Sequence, residues 1–180
     1  MMQIFPAATR AETPWKNGGG ITRLIASTPG IGKEFGWRLS LADVSSAGTF
    51  SCFPGISRLM GILQGQLQLE VAGLAPTTLT LGDPAFAFAG DIPTVGTPLN
   101  GTVQDINLMF DPDLFAATLN YTANGAAFPA SKAALLVLAL TPLTLNGVAL
   151  TTLDAALLPA GTALEIPSGR AWIAAIQPCG

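Results

Sequence analysis

"LMGILQGQLQLEVAGLAPTTLTLGDPAFAF", Leu59–Phe88, is the stretch that decides the fold. At its centre Leu67, Leu69 and Val71 alternate with Gln66, Gln68 and Glu70, and "TLTL" and "AFAF" repeat the pattern. A period of two residues is the signature of a strand, because successive side chains point to opposite faces of a sheet. Working outward, "WRLSLA" sets Trp37, Leu39 and Leu41 against Arg38 and Ser40. The chain carries 20 Gly and 14 Pro. They punctuate these runs about every eight to twelve residues, the spacing of a sandwich or barrel. One short helix is expected in "DPDLFAATLNY": Asp111 can cap, Pro112 suits the first helical position, and Asp113 complements the dipole.

The pattern recurs about 80 residues on, in "LLVLALTPLTLNGVALTTLDAALLPAGTALEI", Leu135–Ile166. Each copy reads as strand, turn, strand, glycine turn, strand. The expectation is one compact domain over 1–180, with a motif-bearing unit over 1–110 and a second β unit over 111–180. The whole is all-β, with at most one or two short helices.

Composition narrows the chemistry. Of 180 residues, 49% are apolar and 11% charged. The longest apolar run, "AALLVLAL", is far short of the roughly 20 residues a membrane helix needs. The start "MMQIFPAATR" lacks the basic and apolar regions of a secretory signal, and Cys52 and Cys179 are isolated. A cytoplasmic protein with reduced thiols and no membrane partner is expected. Net charge is −3, and the eight basic residues form no stripe, which argues against nucleic acid as a partner. There is no histidine. Zinc sites of the usual kinds cannot be built from two scattered cysteines, so no metal and no cofactor is expected. Any catalysis would run on carboxylates, lysine, hydroxyls or tyrosine.

Four stretches carry recognition chemistry. In "PWKNGGGITR", Pro14–Arg23, glycine N–H groups can cradle an anion, Lys16 and Arg23 add charge, and Trp15 offers a flat wall; an ordinary turn before a strand reads equally well. In "FSCFPGISRLMGIL", Arg58 enters an apolar strand and must be paired or reach the surface. In "FAGDIPTVG", Asp91 sits in a turn and can brace its own backbone. In "VQDINLMF", Asp105 and Asn107 share a strand face with Val103 and Met109, and that face lines a cavity or meets water.

Together and in this order, these stretches resemble the HutD/Ves family of cupin-like proteins. The resemblance rests on "PWKNGGGITR", "FSCFPGISRLMGIL", "FAGDIP" and "DINLM", and covers roughly the first 110 residues by motif. It implies a two-unit, bicupin β-barrel of jelly-roll type with the four stretches around one mouth. It also implies a role in sensing or buffering an intermediate of histidine utilisation such as N-formylglutamate. On that basis the ligand-binding set is Trp15, Lys16, Asn17, Gly18, Gly19, Arg23, Arg58, Asp91, Asp105 and Asn107, with no catalytic residue assigned. The ligand would be a small polar carboxylate held without a metal. Two other functions stay open: a metal-independent isomerase or hydrolase using Asp105 or Asp91 as base, and a homodimeric interaction module with no ligand.

Overall fold

The alternating segments become strands because their apolar faces have somewhere to go. The computed structural model describes all residues, Met1–Gly180. In chain order the strands are β1 (Gln3–Phe5), β2 (Glu12–Pro14), β3 (Gly20–Thr28), β4 (Trp37–Val44), β5 (Gly48–Thr49), β6 (Ser57–Val71), β7 (Thr77–Thr80), β8 (Phe86–Ala89) and β9 (Thr94–Phe110). They continue as β10 (Phe115–Thr122), β11 (Ala126–Phe128), β12 (Ala134–Ala139), β13 (Leu143–Leu145), β14 (Val148–Leu150), β15 (Ala155–Leu158), β16 (Leu164–Ile166) and β17 (Ala171–Pro178). A 3-10 turn at Ala7–Thr9 is the only helical element. No helix is long and apolar enough to cross a membrane.

The chain divides into two compact units, Ala11–Asp113 and Met1–Arg10 with Leu114–Gly180. The first ten residues therefore belong with the second unit, not with 1–110. The reason is pairing: Gln3, Ile4 and Phe5 lie opposite Leu157, Ala156 and Ala155. The expected helix after Asp111 is a strand. Phe115, Ala117, Leu119 and Tyr121 alternate with the exposed Ala116, Thr118 and Asn120, so the segment keeps a period of two. Asp111 does not cap a helix; its carboxylate accepts the Asp113 N–H and the Lys33 ammonium.

In the unit Ala11–Asp113, β2, β3, β4, β9, β6 and β7 follow one another, β5 pairs with β9, and β8 with β6. The 15-residue β6 and 17-residue β9 run through the whole eight-stranded sheet. Both turn the corner midway. The β6–β9 register shifts around Gln64, Gly65 has φ +85°, and Asn100 and Gly101 have φ +60° and +119°. Left-handed backbone of this kind is where glycine fits without strain. The enclosed core is Val44, Met60, Ile62, Leu67, Leu69, Val71, Leu79, Phe88 and Val103, with Trp15, Phe50 and Phe86 packed against it.

The other unit repeats the plan. The ladder β4–β9–β6–β8 corresponds to β10–β17–β12–β15, β5–β9 to β11–β16, and β6–β7 to β13–β14. Even a turn is copied. Asp83 accepts the N–H and hydroxyl of Thr80, and Asp154 does the same for Thr151. The doubled β pattern in the sequence is thus a doubled topology.

Candidate functional site

The site follows from register and alternation within Ala11–Asp113. Arg58 lies opposite Met109, Met60 opposite Asn107, and Ile62 opposite Asp105. On the far side of β9, Arg38 faces Met109, Ser40 faces Asn107, and Ala42 faces Asp105. Met60, Ile62 and Val103 belong to the enclosed core, so the face they share is the interior one. Arg58, Asp105, Asn107 and Ser40 stand on that face at 6%, 1%, 7% and 3% exposure. These values dispose of an edge-snorkelling Arg58 and of a water-facing Asp105.

Each of the three recognition groups keeps a polar atom that the protein leaves unsatisfied. Arg58 Nε, Asp105 Oδ1 and Asn107 Oδ1 are buried without a hydrogen-bond partner. No ion pair within 4.0 Å joins Arg58 to an acid, so Arg58 and Asp105 do not neutralise each other by contact. What holds the guanidinium is aromatic: its carbon lies 5.0 Å from the Phe50 ring centre and 4.9 Å from that of Phe88. Such stacking is worth on the order of 2 kcal/mol when desolvated. The Nε–H, at the edge of the planar fork, is left without an acceptor.

Electrostatics follow from burial. The Arg58 pKa falls to about 10, chiefly through desolvation, with Asp105 opposing and Arg38 reinforcing the drop. The Asp105 carboxyl is pushed up to about 7, again mainly by desolvation; Arg58 pulls it down and Asp43 pushes it further up. Arg38 sits at the same end of the face, stacked 5.0 Å from Phe35 and 5.3 Å from Phe53, and burial lowers its pKa. The interior therefore presents guanidinium donors at one end and an acid–amide pair further along β9.

The rest of the expected set divides. Trp15 reaches the site's wall: it contacts Phe50 edge-on at 6.4 Å and anchors its Nε1–H on Thr22 Oγ1 at 2.7 Å. Lys16, Asn17 and Asp91 are exposed on turns. The glycine cradle is corrected. The Gly18 N–H is given to the Trp15 carbonyl and the Gly19 N–H to Asn17 Oδ1, so neither is free for an anion. The run is small because it packs closely: a Cβ on Gly20 would lie 2.5 Å from the Asp43 carbonyl oxygen and 3.0 Å from the Trp15 ring. Arg23 is also spoken for, at 2.6 Å from Glu12 and 2.7 Å from Asp43. Four contributors escaped the sequence reading: Phe50, Phe88, Arg38 and Ser40. The signal for Arg38 and Ser40 lay in "WRLSLA", whose polar side turns inward.

The repeat supplies an internal comparison. Leu135 pairs with Leu158 and Ala175 as Arg58 pairs with Phe88 and Met109. Two and four residues along the same ladders, Ile173 stands where Asn107 does and Ala171 where Asp105 does. Leu135, Ala171 and Ile173 all belong to a continuous apolar core. The same scaffold thus closes without polar groups, and Arg58, Asp105 and Asn107 are not demanded by the fold.

The HutD family profile matches residues 7–173. The chain belongs to the HutD family. Over 122 residues it is 39% identical to an uncharacterized 21.2 kDa protein in the hutC 3' region of Pseudomonas putida, covering 67% of this chain and 64% of that one. It is 36% identical over 110 residues to protein Ves of Citrobacter koseri, covering 60% of this chain and 57% of Ves. The matches thus span less than two thirds of either relative. HutD from Pseudomonas fluorescens SBW25, solved in a formate condition, superposes with a TM-score of 0.92 at 28% identity, with both chains fully covered. At 10% identity and a TM-score of 0.68, over the full length of both chains, the nickel(II)-bound pirin YhhW of Escherichia coli shares the fold alone. No three acidic, cysteine or histidine side chains converge, and the interior offers one carboxylate beside a guanidinium.

Proposed function

We propose that this protein binds a small carboxylate metabolite in the interior of the unit Ala11–Asp113. It would act as a buffer or regulator in histidine utilisation, with an N-formylglutamate-like acid as the ligand class. One observation carries the reading. Arg58, Asp105 and Asn107 are buried on one interior face, each with a polar atom that nothing in the protein bonds, at positions the repeated unit fills with Leu135, Ala171 and Ile173. Buried polar groups cost free energy unless something bonds them, and an arginine fork matches a carboxylate. The acid and amide further along suit the N–H and carbonyl of an acylated amino acid. The Pseudomonas putida relative, named for its hutC neighbourhood, supports the choice of pathway.

Calorimetric titration with N-formylglutamate and related acids tests this. Arg58→Lys should weaken binding, because an ammonium cannot reproduce the planar fork. Arg58→Met should weaken it more than tenfold, the loss of a desolvated charge pair being on the order of 2–5 kcal/mol. Unchanged affinity in Arg58→Met removes the residue from the site.

Asp105 favours a second reading, a metal-independent enzyme. A carboxyl held near neutrality by burial is suited to proton transfer. Incubation of candidate acids followed by NMR decides between the two: conversion that disappears in Asp105→Asn supports catalysis, and unaltered substrate rejects it.

A further inference from the structure

We propose that the interior site takes up a proton together with the anion it binds, with Asp105 receiving that proton, so that a carboxylate is held more tightly as pH falls. The inference rests on the binding reading above and concerns how that site is regulated.

The argument begins with which charges face Asp105. From β6 comes Arg58, on the same interior face; from β4 comes Arg38, beyond it on that face. From β4 also comes Asp43, on the opposite face, itself tied to Arg23 at 2.7 Å and to Gln104 at 2.8 Å. β8 contributes the uncharged rings of Phe86 and Phe88. Arg58 is therefore the only cation that favours an ionised Asp105 among these strongest influences, and it does so at a distance beyond 4.0 Å.

A carboxylate seated on the Arg58 fork takes over that counter-charge. Two carboxylates then share one guanidinium in a desolvated interior, the arrangement in which a proton is retained between acids. With Asp105 neutral, Arg58 and the one carboxylate seated on it balance. With Asp105 ionised, the interior carries an unpaired negative charge. The neutral acid also gains an O–H that can donate to the ligand's second oxygen, which the ionised form cannot. Burial already holds the unliganded Asp105 carboxyl at about 7, so the proton is available from solution near neutral pH. Linkage is reciprocal: if the anion raises proton affinity, the proton raises anion affinity by the same factor.

The test is calorimetry of the whole chain with glutarate and N-formylglutamate as probes. Titrations are run between about pH 7 and 8.5 in Hepes and in Tris, two buffers without a competing carboxylate or phosphate that differ in ionisation enthalpy. The expected result is a buffer-dependent enthalpy that rises toward one proton per anion at the alkaline end, and a Kd that weakens by up to about tenfold per pH unit there. Asp105→Asn should show no buffer dependence and a flat pH profile. Binding with equal enthalpies in both buffers and a flat Kd in the parent protein overturns the inference while leaving the binding reading standing. Failure of both probes to bind at any pH rejects the binding reading, and this inference with it. Should Asp105→Asn not fold, carboxyl carbon NMR of the parent identifies the titrating group. A rise in the Asp105 midpoint on adding glutarate supports the proposal, and a shift at another acid instead refutes it.

Discussion

Asp105 is expensive in its ionised form. An unfolded aspartate titrates near 4, whereas burial holds this one at about 7. Between these values the folded chain binds the extra proton, so this residue's contribution to stability is full below pH 4 and declines as pH rises to 7. The shift corresponds to an order of 4 kcal/mol. Asp105→Asn mimics the neutral acid and should raise the melting temperature above pH 7, with the gain vanishing toward pH 4. Melts of both proteins across that range check it, and an Asn variant less stable at pH 8 would mean the charge is compensated after all. The residue scale is also where reading the sequence reached its limit. Arg58, Asp105 and Asn107 stood out as polar groups in apolar strands. The rings that hold Arg58 did not, because Phe50 and Phe88 look like any other core aromatics until register places them. The glycine run misled for a related reason. A run that admits a ligand and one that admits a tryptophan ring and a neighbouring carbonyl have the same spelling.

At the scale of elements, periodicity was a sufficient guide wherever one face was apolar, as in β4, β6 and β9. It failed at "DPDLFAATLNY", where capping residues opened a segment whose alternation belonged to a strand. The fate of Asp111 explains the failure, since a distant lysine claimed its carboxylate. Lys33 donates to Asp111 at 2.7 Å and to the Gly55 carbonyl at 2.9 Å, fastening the 29–36 loop to the start of β6. The ammonium holds the Asp111 carboxyl below its usual range. That contribution is present above the unfolded pKa and is lost as pH falls through the folded one. Lys33→Met should therefore lower stability by about 1–3 kcal/mol at pH 7, the ammonium being part-exposed. The deficit should shrink below pH 4; a constant deficit in acid would point to lost packing instead. Gly96 is the second such device. A Cβ there would lie 2.7 Å from the Phe50 ring. Gly96→Ala should push that ring off Arg58 and weaken ligand binding several-fold, in line with the loss of one cation–π contact. Calorimetry beside a thermal melt separates this from simple unfolding.

For the molecule as a whole, the informative fact is that one plan is built twice. The triple variant Arg58→Leu, Asp105→Ala, Asn107→Ile installs the repeat's own solution in the motif-bearing unit. Replacing buried charges by apolar groups is often neutral or stabilising by 1–4 kcal/mol, with the roughly filled volume setting the outcome. The variant should fold with a melting temperature at or above that of the parent and bind no carboxylate. A variant that cannot fold would show that the polar trio is structural. The duplication has a further consequence. Where a chain has a single barrel, the residues that open a pocket are taken from the only core it has, and drift in ligand preference is limited by collapse. Here an entirely apolar interior is maintained by Leu135, Val137, Leu158, Ile173 and their neighbours. Selection acting on that copy answers for cohesion, and selection acting on the other answers for chemistry. If the polar copy holds a metabolite as proposed, a few changes among its interior side chains would exchange one ligand for another while the apolar copy stays as it is.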